Sequence, residues 1–401
     1  MSAFSKFFPH YGFTKMPFHL PPKKRYSTRS FKKLTKPLDS ILPLIPQMGS
    51  RGNRPLKMTF EDQLNALIFF HLEEHISARH LIQVLEEDDF ARTHIAPKGG
   101  ISRSSFSEAI NERGPEQFMA VFEQLQKQAS SLLPNKYAQL GELVSIDGSL
   151  IDSVLSMAWA DYRSNSKKAK LHLGFDINRG IPQKLFLTDG KSDERPFVHD
   201  IIKPGQTGVM DRGYQHHQNF DRLQIDHKHF VCRIKANTNK TCLEAYPIKP
   251  GSIIFYDSKV LLGKKGNKQT QKPLRLVGYT VDGVKYWVAT SRFDLSAEDV
   301  ALVYKLRWEI ESFFAWWKRH LRVYHLIARS KQGLMVQILS GLITYLLLAI
   351  YCHEEHGERV SIKRVRELRT KILNETRESQ EVPPDPKNLR SQNQGDLHAS
   401  P

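Results

Sequence analysis

The sequence predicts a mixed α/β fold preceded by a helical region, and three observations predict it. Residues 59–130 keep the spacing of amphipathic helices. From Leu143 to Thr290 apolar residues come in short alternating or continuous runs, the pattern of strands. From Ser296 the pattern returns to helix and ends in one very apolar stretch, Leu334 to Cys352. Strands followed by long helices indicate layered α/β packing. At about 150 residues per domain, the chain is long enough for two or three domains.

Taken in order, residues 1–58 form a basic arm. They hold twelve Lys or Arg against one acid, Asp39, and so carry +11 of the formal net charge of +17. Lys23-Lys24-Arg25 and Lys32-Lys33 are interleaved with Tyr26 and Phe31, a composition that suits a phosphate backbone. Pro9, Pro17, Pro21 and Pro22 work against the amphipathic helix of an organelle transit peptide. Residues 59–138 follow as a helical region expected to bind DNA. Thr59 with Asp62 makes a capping-box pattern ahead of LNALIFFHL. Two short helices around Gly99-Gly100, the second opening on Ser102-Arg103-Ser104, fit a helix-turn-helix and equally fit any small bundle.

Residues 139–235 read as the first part of an α/β core and 236–290 as an inserted β-region rich in Gly and Lys. Residues 291–372 complete the core with a long helix and a buried helix, and 373–401 read as a polar, disordered tail. Cys232, Cys242 and Cys352 exclude a disulfide scaffold and lack zinc-finger spacing. Gln337, Ser340, Gly341 and Thr344 interrupt the apolar stretch, so it reads as a core helix rather than a membrane span. The expectation is a soluble cytoplasmic protein, with no membrane partner and a field that favours a polyanion.

The helix from Ala297 to about Leu321 carries the chemistry. With residues about 100° apart, Tyr304, Arg307, Glu311 and Lys318 fall within about 60° of one another. Leu302, Val303, Leu306, Ile310, Phe313, Phe314 and Trp317 take the other side. A carboxylate among cations makes sense if its partners are a metal and a phosphate. Magnesium takes oxygen ligands, so further acids should lie at strand ends. Asp147, inside an apolar strand, and Asp211, closing one, are the candidates. An acid within a strand core is costly unless paired or metal-bound. Asp152, Asp176, Asp189 and Asp193 read as turn or surface acids, His216-His217 as a solvated pair, and Trp287 as core packing.

Tyr304, Arg307, Glu311 and Lys318 match the pattern Y-x2-R-x3-E-x6-K. Ser145-Ile-Asp147-Gly-Ser, Trp159-Ala-Asp-Tyr-Arg, Thr188-Asp-Gly-Lys, Met210-Asp211-Arg-Gly-Tyr214 and Trp317-Lys318-Arg-His-Leu-Arg322 extend the likeness over roughly residues 140–350. In these blocks the chain resembles the DDE-type transposases of bacterial insertion sequences, in the branch with the Tyr-Arg-Glu-Lys signature.

The resemblance implies a ribonuclease-H-like catalytic core with a β-rich insertion before the Glu helix. It implies Asp147, Asp211 and Glu311 as a catalytic, metal-binding triad, with two Mg2+ ions and Mn2+ able to substitute. Tyr304, Arg307, Lys318, Arg322 and Arg212 would contact DNA. Terminal inverted repeats would be bound, the element ends cleaved and the 3′-hydroxyls joined to target DNA, with a homodimer pairing the ends near the bacterial nucleoid. A transposase-derived DNA-binding protein with lapsed catalysis and a related structure-specific nuclease are the alternatives.

Overall fold

A computed structural model describes residues 30–46, 56–153, 156–163, 166–266 and 268–380. Lys23, Lys24, Arg25 and Tyr26 lie outside the described residues, as does the tail from 381. The described part of the arm is not free. Helix α1 (Ser30–Thr35) and the turns after it bury Phe31, Leu34, Leu38, Ile41 and Ile45. These recur at helical spacing, so burial of an apolar stripe decides the path of this segment and its charges stay outside. Lys33 pairs with Glu355 at 2.6 Å.

Four of the next five helices are capped by a side chain. These five are α2 (Phe60–Leu72), α3 (Ala78–Glu87), α4 (Asp89–His94), α5 (Arg103–Glu112) and α6 (Glu116–Leu132). The capping box forms: Thr59 Oγ1 accepts the Asp62 N–H at 3.1 Å, and the Asp62 carboxylate accepts the Thr59 N–H at 2.8 Å. Ser77, Asp88 and Ser102 cap α3, α4 and α5. Each such cap contributes about 1 kcal/mol.

The sheet begins with β1 (Leu143–Asp152), β2 (Asp161–Arg163), β3 (Ser166–Asp176) and β4 (Ile181–Asp189). After α7 (Val198–Ile201) come β5 (Thr207–Met210), α8 (His217–Ile225) and β6 (His229–Arg233). Residues 236–290 supply β7 (Lys240–Ala245), β8 (Ile254–Leu262), β9 (Leu274–Val281) and β10 (Val284–Thr290). The ten strands run β2-β3-β1-β5-β6-β10-β9-β8-β7, with β4 beside β3. β5 is parallel to β1 and to β6; the other pairings are antiparallel. Residues 236–290 therefore extend the sheet rather than forming a separate unit, because β10 returns to pair with the free side of β6. A buried ion pair, Arg275 Nη2 to Asp257 Oδ2 at 2.7 Å, joins β9 to β8. Asp176, expected at a turn or surface, is buried at the end of β3 and paired with Arg179 at 3.1 Å.

The expected single helix from 297 to 321 is two: α9 (Ala297–Leu306) and α10 (Trp308–His320), broken at Arg307. The break rotates the faces. Leu302, placed on the apolar side by a continuous helix, is exposed, and Tyr304, placed opposite, is buried against Tyr286. Next come α11 (Lys331–His356) and α12 (Ile362–Gln380). α12 runs on to Gln380 with Leu368 and Ile372 buried, so residues 373–380 are helix rather than tail.

α11 is long and apolar enough to cross a membrane, yet 94% of its most apolar window is buried inside the protein. Its polar interruptions are satisfied there. Gln337 donates to the carbonyls of Val323 and His325, and the Ser340 hydroxyl meets His71 Nε2 at 3.0 Å. α1, α2, α5, α6 and β4 pack around it. Residues 59–138 thus do not stand apart as a module: they share one core with α10, α11 and one face of β1, β3 and β4. A helix apolar on all sides needs partners all round, and these helices supply them.

Candidate active site

β1 alternates its side chains, so Ser145 and Asp147 share one face and Val144, Ile146 and Gly148 the other. Ile146 lies in the core with α7 and α8. On the opposite face the Ser145 hydroxyl donates to the Arg307 carbonyl at 3.2 Å, pinning the α9–α10 break to β1. That bond brings Asp147 under the start of α10.

The parallel register sets the second acid. Leu143, Val144 and Ser145 pair with Thr207, Gly208 and Val209. Continued two residues, the same offset brings Asp147 level with Asp211 on the neighbouring strand path. Adjacent strands lie about 4.8 Å apart. Each aspartate commits one oxygen to a following backbone N–H, Asp147 to Gly148 at 2.9 Å and Asp211 to Gly213 at 2.5 Å.

Glu311 stands one turn after Arg307 and accepts its guanidinium at 2.5 Å. Asp147 senses both: burial pushes its carboxyl up to about 6, with Glu194 and Glu311 adding to the rise and Gly148 N–H and Arg307 opposing it. Among the described residues no three His, Cys, Asp or Glu side chains stand together as a ready metal cage. Arg307 occupies Glu311 in this arrangement.

The cationic residues have separate places. Lys318 is drawn inward, and its Nζ donates to the Leu150 carbonyl at 2.7 Å; burial lowers its pKa. Arg212 is exposed in the turn directly after Asp211. Arg322, past the end of α10 with φ of 51°, is held by Glu74 at 3.2 Å and by the Tyr324 hydroxyl at 2.7 Å. It is engaged with the N-terminal helices, not grouped with Asp147. Tyr304 and Arg307 line an open groove of about 860 Å3 with Arg233, Tyr279, Tyr286 and Trp308. Trp287 is half-buried, edge-on to Phe255 and Tyr256, with Lys240 Nζ 4.4 Å from the ring centre.

Sequence reasoning missed a fourth carboxylate. Glu194, in the loop before α7, accepts the Tyr214 hydroxyl at 2.6 Å and lies 3.3 Å from Lys170 Nζ. Its carboxyl carbon sits 2.6 Å from where a Cβ on Gly148 would be. The signal available in the sequence was that glycine, directly after Asp147 within a strand, where a missing side chain marks a close approach.

Residues 139–347, just over half of the chain, match the family described as "Transposase DDE domain". The chain belongs to that family. A protein of Sinorhizobium fredii named as a transposase is 28% identical over 198 residues, 48% of this chain and 56% of that one. One named for insertion sequence element IS5377 of Geobacillus stearothermophilus is 28% identical over 195 residues, 48% of this chain and 52% of that one. One named for element IS4SA of Synechocystis is 25% identical over 273 residues, 66% of this chain and 76% of that one. The chain thus spans about half the length of the first two relatives. Among solved structures, a piggyBac transposase synaptic complex with hairpin DNA superposes with a TM-score of 0.42 and 14% identity, covering 94% of this chain and 84% of that one. Asp147, Asp211 and Glu311 all lie inside the matched range.

Proposed function

We propose that this protein is a DNA transposase in which Asp147, Asp211 and Glu311 are the catalytic carboxylates. The observation that carries the reading is the parallel pairing of Ser145 with Val209, two residues before Asp147 and Asp211 on their strand paths, while Ser145 also bonds the start of α10. The order β4-β3-β1-β5-β6, with β1, β5 and β6 parallel, supports a ribonuclease-H-like core. The Y-x2-R-x3-E-x6-K spacing supports the Tyr-Arg-Glu-Lys branch.

The donor set fits a hard divalent cation. All three side chains offer oxygen, the preference of magnesium. Burial and neighbouring acids raise the Asp147 carboxyl, a charge excess that a cation would relieve. Asp147, Asp211 and Glu311 would hold the metal, two Mg2+ ions in our reading. When bound, such ions activate the attacking oxygen and stabilise the leaving one. The chain's own contribution is placement. The two N–H bonds at Gly148 and Gly213 fix the aspartates, and Arg307 holds Glu311 until that carboxylate is needed. Tyr304, Arg307, Lys318, Arg212 and Arg322 would orient the DNA, with the element's terminal repeats as the first substrate and target DNA as the second. A homodimer would hold two ends together.

Glu311→Gln tests this. Cleavage of DNA carrying the element's own ends, assayed with Mg2+, should fall to background while end binding persists. Cutting at the wild-type rate would remove Glu311 from the triad. A strand-transfer assay on the wild-type protein separates transposase from nuclease, since only the former joins the freed 3′-hydroxyl to a second duplex.

A further inference from the structure

Glu194 sits where two catalytic segments meet, on the far face of β1 from Asp147. Gly148 precedes Ser149 on that strand and leaves room for it; a Cβ there would lie 2.6–2.8 Å from all three carboxylate atoms. The Tyr214 hydroxyl donates to it at 2.6 Å, and Tyr214 ends the turn that Asp211 begins. Lys170 Nζ lies 3.3 Å from its other oxygen and also donates to the Ser192 carbonyl at 2.9 Å. One carboxylate thus joins β1, β3 and the Asp211 turn.

We propose that Glu194 is a positioning residue that fixes the separation of Asp147 and Asp211 by tethering the Asp211 turn, through Tyr214, against Gly148. Tyr214 is buried, so without Glu194 its hydroxyl loses a strong acceptor in a dry setting. The turn then has one fewer anchor, and Asp211 is free to drift along β5. Glu194 lies across the strand from Asp147, so it acts through the tether rather than as a ligand. Lys170 offsets its charge, which lets a second acid stand near Asp147. This inference rests on the reading of Asp147 and Asp211 as the metal-holding pair.

Mn2+ binding to the whole protein without DNA, followed by titration calorimetry, tests it with thermal unfolding in parallel. Glu194→Ala and Tyr214→Phe should each weaken Mn2+ binding about 10- to 100-fold, the usual effect of losing a group behind a ligand. The double variant should bind no more weakly than either single one. Glu194→Gln, whose amide oxygen still accepts from Tyr214, should recover most of the affinity. Asp147→Asn serves as the control. If it loses Mn2+ while Glu194→Ala and Tyr214→Phe bind normally, the tether is refuted and the metal site stands. If Asp147→Asn binds Mn2+ normally, both readings fail. If Glu194→Gln is as impaired as Glu194→Ala while Tyr214→Phe is normal, Glu194 is itself a ligand and the tether is refuted. Should Glu194→Ala fail to fold, Tyr214→Phe alone decides, since it keeps the buried ring and loses only the hydroxyl.

Discussion

The Ser145 hydroxyl donates to the Arg307 carbonyl at 3.2 Å, and this bond joins the strand of Asp147 to the helix start that carries Glu311. Arg307 sits at the break between α9 and α10, where its carbonyl also accepts the Ile310 N–H at 3.3 Å. Ser145 is fully buried, so a hydroxyl there must be bonded, and the helix break is where it finds its acceptor.

Ser145→Ala should therefore cost about 1 kcal/mol of stability, the net worth of one buried hydrogen bond. Urea unfolding measures that loss. Mg2+-dependent cleavage should fall by more than the small unfolded fraction explains, because the α9–α10 break loses its anchor on β1. Equal losses in both would mean the bond only stabilises.

Lys318→Ala should weaken binding to DNA of any sequence and reduce the salt slope of log K by about one. Filter binding across a range of salt concentrations measures it. An unchanged slope would confine Lys318 to its bond with Leu150.

Arg322 and Glu74 separate structure from DNA contact. The pair is partly exposed, so their coupling in a double-mutant cycle should reach about 1 kcal/mol at most. Arg322→Ala should cost less stability in a Glu74→Ala background than alone. If Arg322 also contacts DNA, its loss should weaken end binding equally in both backgrounds, as a gel-shift titration would report.

His71 predicts the acid limit of the fold. It is fully buried between the Leu321 carbonyl at 2.7 Å and Ser340, and burial lowers its pKa to about 4. A histidine held neutral in the fold binds fewer protons there than in the unfolded chain. Its contribution is complete above about pH 6.5 and declines as pH falls toward 4, by up to about 3 kcal/mol. His71→Gln should flatten the fall in unfolding midpoint across that window. A slope equal to wild type would assign acid sensitivity to other groups, such as His75 and His172, whose pKa values burial also lowers to about 4.

Much of the site could be read directly. Asp147 stood out because a charged residue inside an apolar strand demands a reason, and Glu311 because its spacing to Arg307 suits a shared helical face. A continuous helix places Leu302 inside and Tyr304 outside, and the structure has Leu302 exposed and Tyr304 buried. Periodicity reports the local winding of a chain and is silent about a break that is bonded to a serine 162 positions away. Glu194 was invisible for a similar reason. It lies in a polar loop with other acids, and only the fold brings it beneath Gly148.

The sequence by itself determined most of the elements: where the main strands and helices lie, apart from the break at Arg307 and the end of α12, and several of the caps that start them. These follow from nearest-neighbour chemistry and from the period of apolar residues. The tertiary structure decided the rest. It folded part of a basic arm into the core, wrapped four helices and a strand around α11, and set the offset that pairs Ser145 with Val209, two residues before Asp147 and Asp211. Those outcomes depend on pairing between distant segments, where one residue of register reverses every side chain, and no local pattern encodes that choice.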